Sequence, residues 1–320
     1  MQSYEHFKAS ERKCLEDGIE RGESLRSIAK QIGKNVSSVS RELKRNSNKD
    51  GRYNAYVATN RYIHRRRVHQ HPYRLERDEE LCEYVVKKLK LAWSPEAIVC
   101  RWKKEHPGTK LGFTTIYRSL KKKRLKGCSR EENLRRHGKK RYCRSSISKY
   151  NTIKPEHTIH ERPKEIEGRE RIGDWEGDTV AGKRNQGCIT TLVDRKTRYL
   201  VAVPEGGFNA KAIKDGVCKA LEGYPVHSIT FDNGSEFASH AEIAKALNTI
   251  VYFADPHSPW QRGTNENTNG ILRFFFPKGT NFIELSAPQI EAVVELINNR
   301  PRKCLDWLTP REAFFSSCCT

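Results

Sequence analysis

The sequence has no run of apolar residues near the roughly 18 needed to span a bilayer, and no hydrophobic signal core lies at its N-terminus. These two absences lead to the expectation of a cytoplasmic protein. Its ten cysteines, at 14, 82, 100, 128, 143, 188, 218, 304, 318 and 319, form no C-x-x-C pair, which speaks against zinc fingers and against a disulfide framework. Cys128, His137 and Cys143, with His157 and His160 beyond, are too irregularly spaced for a structural zinc module, so free thiols are expected. No serine or tyrosine stands in a constellation that would make it a recombinase nucleophile.

Acidic residues are in deficit, and the deficit is local. Lys+Arg number 60 against 39 Asp+Glu over 320 residues, a net charge of +21. Residues 1–165 carry a net +22 and residues 166–320 a net −1, so all of the excess lies in the first half. A basic excess of domain size is the footprint of a phosphate-backbone binder whose affinity falls steeply with salt. The length suffices for two or three domains, each with its own core.

The first half reads as helical units. Ser10 precedes a helical stretch to about residue 21. Ser24 then caps Leu25, Ile28, Ala29 and Ile32 at helical spacing, and Gly33 breaks that helix. A third helix over 36–45 is expected to bury Val36, Val39 and Leu43 and to present Ser37, Ser38, Arg41 and Lys44 outward, a helix-turn-helix pattern in which small polar residues approach base edges. Residues 1–50 are assigned to this domain. Residues 51–74, centred on Arg65, Arg66 and Arg67, read as a basic linker that tracks the DNA backbone.

Residues 75–126 read as a second helix-turn-helix unit. One helix runs from Leu75 to about Leu91, another starts at Ser94-Pro95-Glu96, and a recognition helix over 113–120 offers Thr114, Thr115 and Arg118. Residues 127–165, rich in Arg and Lys without a clear period, are expected to be a basic linker that orders on DNA.

From Gly173 the pattern changes to strands over 175–180, 188–193 and 199–203, with a hairpin turn at 194–197, and then to alternating helix and strand. This predicts an α/β domain over 166–320 with a mixed sheet flanked by helices. The apolar run 227–231 ends on Asp232, and Asn233-Gly234 makes the turn before a helical pattern that Ser235 is expected to cap. Two other acidic segments match it, Asp174-Trp175-Glu176-Gly177-Asp178 and the stretch 259–267 that carries Glu266. Asp174, Glu176 and Asp178 alternate onto one face of an extended strand, and each is chemically able to join the set. Converging carboxylates take up protons unless a cation neutralises them, and hard oxygen donors suit Mg²⁺ or Mn²⁺. Two such ions roughly 4 Å apart serve phosphodiester chemistry.

Three features together are specific. Asp178 has Trp175 three positions before it, Asp232 lies in Phe-Asp-Asn-Gly-Ser-Glu-Phe, and Glu266 follows Gly263 by three with 33 residues separating it from Asp232. This set resembles the acidic trio of the retroviral-integrase-like transposases, which have a ribonuclease-H-like fold. With Trp-Glu-Gly-Asp, the run Asn298-Asn299-Arg300-Pro301-Arg302-Lys303 and Trp307-Leu308-Thr309-Pro310, nearly the whole chain is similar to bacterial insertion-sequence transposases of the IS-thirty family.

The resemblance selects Asp178 as the first acid, with Asp174 in reserve, and implies that Asp178, Asp232 and Glu266 are both catalytic and metal-holding, with two Mg²⁺ for which Mn²⁺ substitutes. It implies that Arg273, two helical turns beyond Glu266, contacts the DNA terminus. It further implies recognition of terminal inverted repeats in double-stranded DNA, cleavage at the element's end, joining of the 3′-hydroxyl to target DNA, assembly as a dimer or larger complex, and a bacterial, nucleoid-associated location. Glu236, Asp255 and His257 are expected to be structural. The alternatives are a nuclease of the same fold that cuts without joining, and a DNA-binding regulator with an inactive catalytic domain.

Overall fold

Capping chemistry sets the first helices. In the computed structural model, which describes residues 5–68, 73–135, 156–184, 186–256 and 258–318, α1 spans Ala9–Glu20, α2 Leu25–Ile32 and α3 Val36–Asn46. Ser24 Oγ accepts from the Ser27 amide, Asn35 Oδ1 accepts from the Ser37 amide at 2.9 Å, and Gly33 ends α2 at φ 69°. Leu15, Ile28, Ala29 and Val39 are buried together. A Cβ on Gly18 would lie 2.7 Å from Ile28 Cγ1, so this glycine allows α1 and α2 to approach closely. The chain divides into two units, Met1–Arg77 and Asp78–Thr320.

Two expectations for the first unit change. Val36 is 39% exposed, whereas Val39 is fully buried. In place of a linker over 51–74, the chain forms α4 (Ala55–Val68) and the short α5 (Arg74–Arg77). Ala55 and Ala58 of α4 are buried in the same core as Leu15, because their small side chains let the helix backbone come near α1. Arg65 turns inward as a result, its Nη2 donating to Asn46 Oδ1 at 2.8 Å, while Arg66 and Arg67 stay exposed.

The second unit begins with α6 (Glu79–Lys90), α7 (Pro95–Glu105), α8 (Phe113–Lys121) and the short α9 (Arg130–Asn133). Asp78 breaks the single helix expected from Leu75: its Oδ1 accepts from the Leu81 amide and starts α6 afresh. Leu81, Val85, Leu89, Ile98, Trp102 and Ile116 are buried, and Thr114 and Arg118 are exposed on α8, with Thr115 half-buried. His137, Cys143, His257, Cys319 and much of the expected linker lie outside the described residues.

After α10 (Lys164–Gly168) come β1 (Asp174–Ala181), β2 (Cys188–Asp194), β3 (Leu200–Glu205), α11 (Ala210–Ala220), β4 (Ser228–Phe231), α12 (His240–Ala246), β5 (Ile250–Phe253), α13 (Gly263–Phe275), α14 (Ala287–Asn298) and α15 (Pro310–Cys318). The sheet order is β3-β2-β1-β4-β5, antiparallel across the first three strands and parallel from β1 to β4 and β5. Alternation along the strands sends Trp175, Ile229 and Phe231 to one face, against Ile213 and Val217 of α11, and Val180, Ile189 and Val193 to the other, against Ile271 and Leu272 of α13. This mixed sheet with helices on both faces is the ribonuclease-H-like arrangement. The helix expected after Asp232 instead divides into a 3-10 turn, Ser235–Phe237, and α12, because Phe237 turns in to stack on Phe231 at 4.1 Å between ring centres.

One acid on β3 is held at a cost. Glu205 Oε1 is buried without a hydrogen-bond partner among the described residues, against Gly216 of α11, where a Cβ would lie 1.7 Å from it. Burial, helped by the neighbouring Asp215 charge, pushes its carboxyl up to about 7. The folded state therefore holds a proton that the unfolded state releases at the ordinary carboxylate value, and stability falls as pH rises through that window to about 7. Glu205→Gln is expected to melt higher than the parent protein at pH 8 and at the same temperature near pH 4, as a thermal melt series across pH would show.

Candidate active site

Strand register points the first two acids the same way. Asp174, Trp175 and Glu176 of β1 pair with Ser228, Ile229 and Thr230 of β4, and Asp178 and Asp232, each two residues beyond the last pair, both reach Arg262. Both fall on the sheet face that α13 covers. Gly177 explains the glycine of Trp-Glu-Gly-Asp: a Cβ there would meet Phe231 Cε1 at 2.2 Å, so no larger residue fits beside the buried Phe231 ring. Trp175 lies on the other face of β1 from the acids. It is fully buried and its Nε1 donates to Pro225 O at 2.9 Å, which anchors β1 from the opposite face.

A guanidinium lies between the two carboxylates. Arg262 Nη2 donates to Asp232 Oδ2 at 2.9 Å, while Nη1 donates to Gly177 O at 3.0 Å and lies 3.6 Å from Asp178 Oδ1. Asp178 also accepts from the Thr179 amide at 2.9 Å and from Asn269 Nδ2 at 2.8 Å; Asp232 accepts from the Gly234 amide at 3.2 Å. Burial raises the Asp178 carboxyl above its usual range, Arg262 opposes that rise, and the Asp232 charge adds to it. Positive charge beside Asp178 thus works against the effect of its burial.

Glu266 stands one helical turn from both Arg262 and Asn269, on the flank of α13 that serves the acids, but its side chain is exposed and makes no hydrogen bond or ion pair among the described residues. Among those residues no group of three or more Asp, Glu, His or Cys is gathered closely enough to hold a metal. The structure therefore brings Asp178 and Asp232 together and leaves Glu266 beside them, the cationic place between the first two being taken by Arg262.

The reserve acid is committed elsewhere. Asp174 is fully buried, accepting from Arg171 Nε at 3.0 Å and from Ser228 Oγ at 2.6 Å. Glu176, also fully buried, pairs with Arg195 at 2.6 Å, and its Oε2 accepts from the Asn265 amide at 3.1 Å. Asn265 Nδ2 donates back to Glu176 O at 2.9 Å. Glu176 and Asn265 together pin the first turn of α13 to β1. Arg273 donates to Ala181 O at 2.6 Å and is half-buried at the end of β1. Glu236 accepts from Thr179 Oγ1 at 3.0 Å, and Asp255 accepts from Gln261 Nε2 at 2.8 Å and stands 2.9 Å from His160 Nε2. Arg262, Asn265 and Asn269 were not singled out from the sequence, although their three- and four-residue spacing beside Glu266 marks one polar helix face.

In the N-terminal unit Ser37, Arg41 and Lys44 are exposed and Ser38 is half-buried. Arg41 Nε donates to Ser37 O at 3.0 Å, so the two residues form one polar surface on α3.

A helix-turn-helix domain model matches residues 3–46. The chain is 34% identical to Transposase InsI for insertion sequence element IS30A of Escherichia coli (strain K12), over 96% of this chain and 82% of that protein. It is 37% identical to the transposase for insertion sequence element IS4351 of Bacteroides fragilis, over 97% and 95%. Against the transposase for insertion sequence element IS1086 of Cupriavidus metallidurans the identity is 34%, over 96% and 93%. Among solved structures the catalytic core domain of BIV integrase is similar at 17% identity and a TM-score of 0.36, over 46% of this chain and 96% of that one. With relatives of this identity aligned along almost its entire length, the chain belongs to the IS30 family of insertion-sequence transposases.

Proposed function

We propose that this chain binds the terminal inverted repeats of its own insertion sequence, cuts at the element's end and joins the freed 3′-hydroxyl to target DNA. The observation that carries the reading is that Asp178 on β1 and Asp232 just past the end of the neighbouring β4 meet at one cationic group, Arg262. That arrangement suits a cation, since the Arg262 guanidinium already lies against both carboxylates and opposes the rise that burial imposes on Asp178. Asp178, Asp232 and Glu266 are the donors, and their oxygens suit Mg²⁺, with Mn²⁺ as substitute; two such ions, when bound, supply charge stabilisation to the attacking and leaving oxygens of a phosphodiester.

The chain's own residues supply orientation. Asn269 and the Thr179 amide hold the Asp178 carboxylate, the Gly234 amide holds that of Asp232, and Glu176 with Asn265 fixes the turn from which Glu266 projects. Ser37, Ser38, Arg41 and Lys44 on α3, and Thr114, Thr115 and Arg118 on α8, are the proposed DNA-reading surfaces, with Arg66 and Arg67 on the phosphate backbone. Arg65, turned to Asn46, supports α3 instead. Arg273, whose Nη1 has no partner among the described residues, is the proposed contact to the DNA end. Action on two ends calls for a dimer or larger assembly.

The test is incubation of the protein with DNA carrying its element's ends and a target plasmid, with Mg²⁺ or with EDTA. Cut and joined products that need the metal are expected. Cutting without joining would make the protein a nuclease, and end binding without either product would make it a regulator.

A further inference from the structure

Arg302 is only 8% exposed, yet its Nε and Nη2 have no hydrogen-bond partner among the described residues. A buried guanidinium without acceptors is costly and calls for an explanation. Arg302 lines a cavity of about 150 Å³ together with Arg169, Arg198, Cys304 and the first turn of α13 at Gly263 and Thr264. Among the described residues no carboxylate forms an ion pair with any of these three arginines. The acids nearest Arg169 are already engaged, Glu176 with Arg195 and Glu167 with Arg162. Burial, with repulsion from Arg135 and Arg198 adding to it, pushes Arg302 down to about 10. Arg169, at φ 59°, caps the C-terminal end of α10, and Arg198, at φ 64°, closes the turn between β2 and β3. The N-terminal end of α13 adds its own positive potential to the same space.

We propose that this cavity is a phosphate subsite that takes one phosphodiester of the DNA strand held by the catalytic domain, with Arg302, Arg198 and Arg169 as its donors. The assignment rests on the transposase reading and adds a second contact point to it. Guanidinium forks match the paired oxygens of a phosphodiester, and three of them with no ion-paired carboxylate among the described residues make an anion the fitting occupant. The subsite also shares its wall with the turn that bears Arg262 and Glu266, because Arg198 Nη1 donates to Thr264 Oγ1 inside that turn. A phosphate seated there draws on the same turn that presents the third acid.

Cys304, exposed at the cavity wall, is the built-in reporter. The experiment follows iodoacetamide modification of the full-length protein by peptide mass mapping, with no addition, with millimolar inorganic phosphate, and with duplex DNA carrying the element's end. At a DNA concentration about ten times its Kd, modification of Cys304 is expected to slow about tenfold, as occupancy of the site dictates, while Cys218 on α11 keeps its rate. Arg302→Gln is expected to lose the protection although end binding persists in a gel shift. Arg198→Gly, which relaxes a backbone already at positive φ, is expected to stay folded by its melt and to lose the protection as well. Protection by inorganic phosphate but not by DNA would make this a small-anion site and overturn the proposal, as would no protection by either. Protection in a protein that neither cuts nor joins DNA would uphold the subsite and refute the catalytic reading alone.

Discussion

Asp232→Asn is expected to remove DNA cleavage and strand transfer while binding of the ends survives. The substitution keeps the shape of the side chain, so the oxygen that accepts from the Gly234 amide remains and β4 keeps its place beside β1. It removes one of the two charges that Arg262 now shares, and with it a hard anionic donor for a divalent ion. Loss of several kcal/mol of charge stabilisation corresponds to roughly three orders of magnitude or more in rate. The fold is expected to suffer little, since repulsion on Asp178 is also relieved. A gel shift with the end sequence and a product assay on the same preparation separate binding from chemistry. Strand transfer retained at near the parent rate would refute the assignment of Asp232.

Glu176→Ala is expected to carry the largest cost in stability. Glu176 and Arg195 are fully or almost fully buried and 2.6 Å apart. Removing one partner of such a pair leaves an uncompensated charge inside the protein, typically about 3–5 kcal/mol. The Asn265 amide would lose its acceptor at the same time, releasing the first turn of α13 from β1. Glu176→Gln, which keeps an oxygen for that amide, is expected to lose less. Urea unfolding of the three proteins checks the order, and a loss below about 1 kcal/mol for the alanine variant, the range of exposed pairs, would show that the pair is not the pin described. If the pin holds, Glu176→Ala should also slow cleavage more than Glu176→Gln does, because the turn that loosens is the one carrying Glu266 and Arg262.

The strand that ends in Asp232 was legible in the sequence because an apolar run stops on one acid before Asn233-Gly234, and the strand pattern around Asp178 follows the period-two rule. The helix bearing Glu266 was placed by its position after Gly263. Arg262 was invisible as the partner of Asp178 and Asp232 because these contacts join residues 84 and 30 positions apart in the chain, which no local pattern encodes. The same holds for Glu176, whose fate depended on Arg195 arriving from the next strand. Helix α4 was hidden for another reason. Arg65, Arg66 and Arg67 dominate the composition of its segment, while the burial is done by Ala55 and Ala58, whose small side chains give a weak periodic signal. Asp78 and Ser235 show the limit of cap reading: an acid taken as part of a continuous helix restarted it, and a serine expected to open a helix lies in a 3-10 turn.

The placement of Asp178 and Asp232 at the ends of two paired strand segments has a consequence for how such a protein tolerates change. Their nearness follows from the pairing of β1 with β4 two residues before them, and owes nothing to the length of chain that connects them. A hairpin loop or the crossover segment can therefore grow or shrink with the pair left intact. A slip of β4 by a single residue against β1 would send Asp232 through to the opposite side of the sheet. Fragility in this molecule is concentrated in the alignment of two short backbones, and the stretches that join them are the forgiving parts.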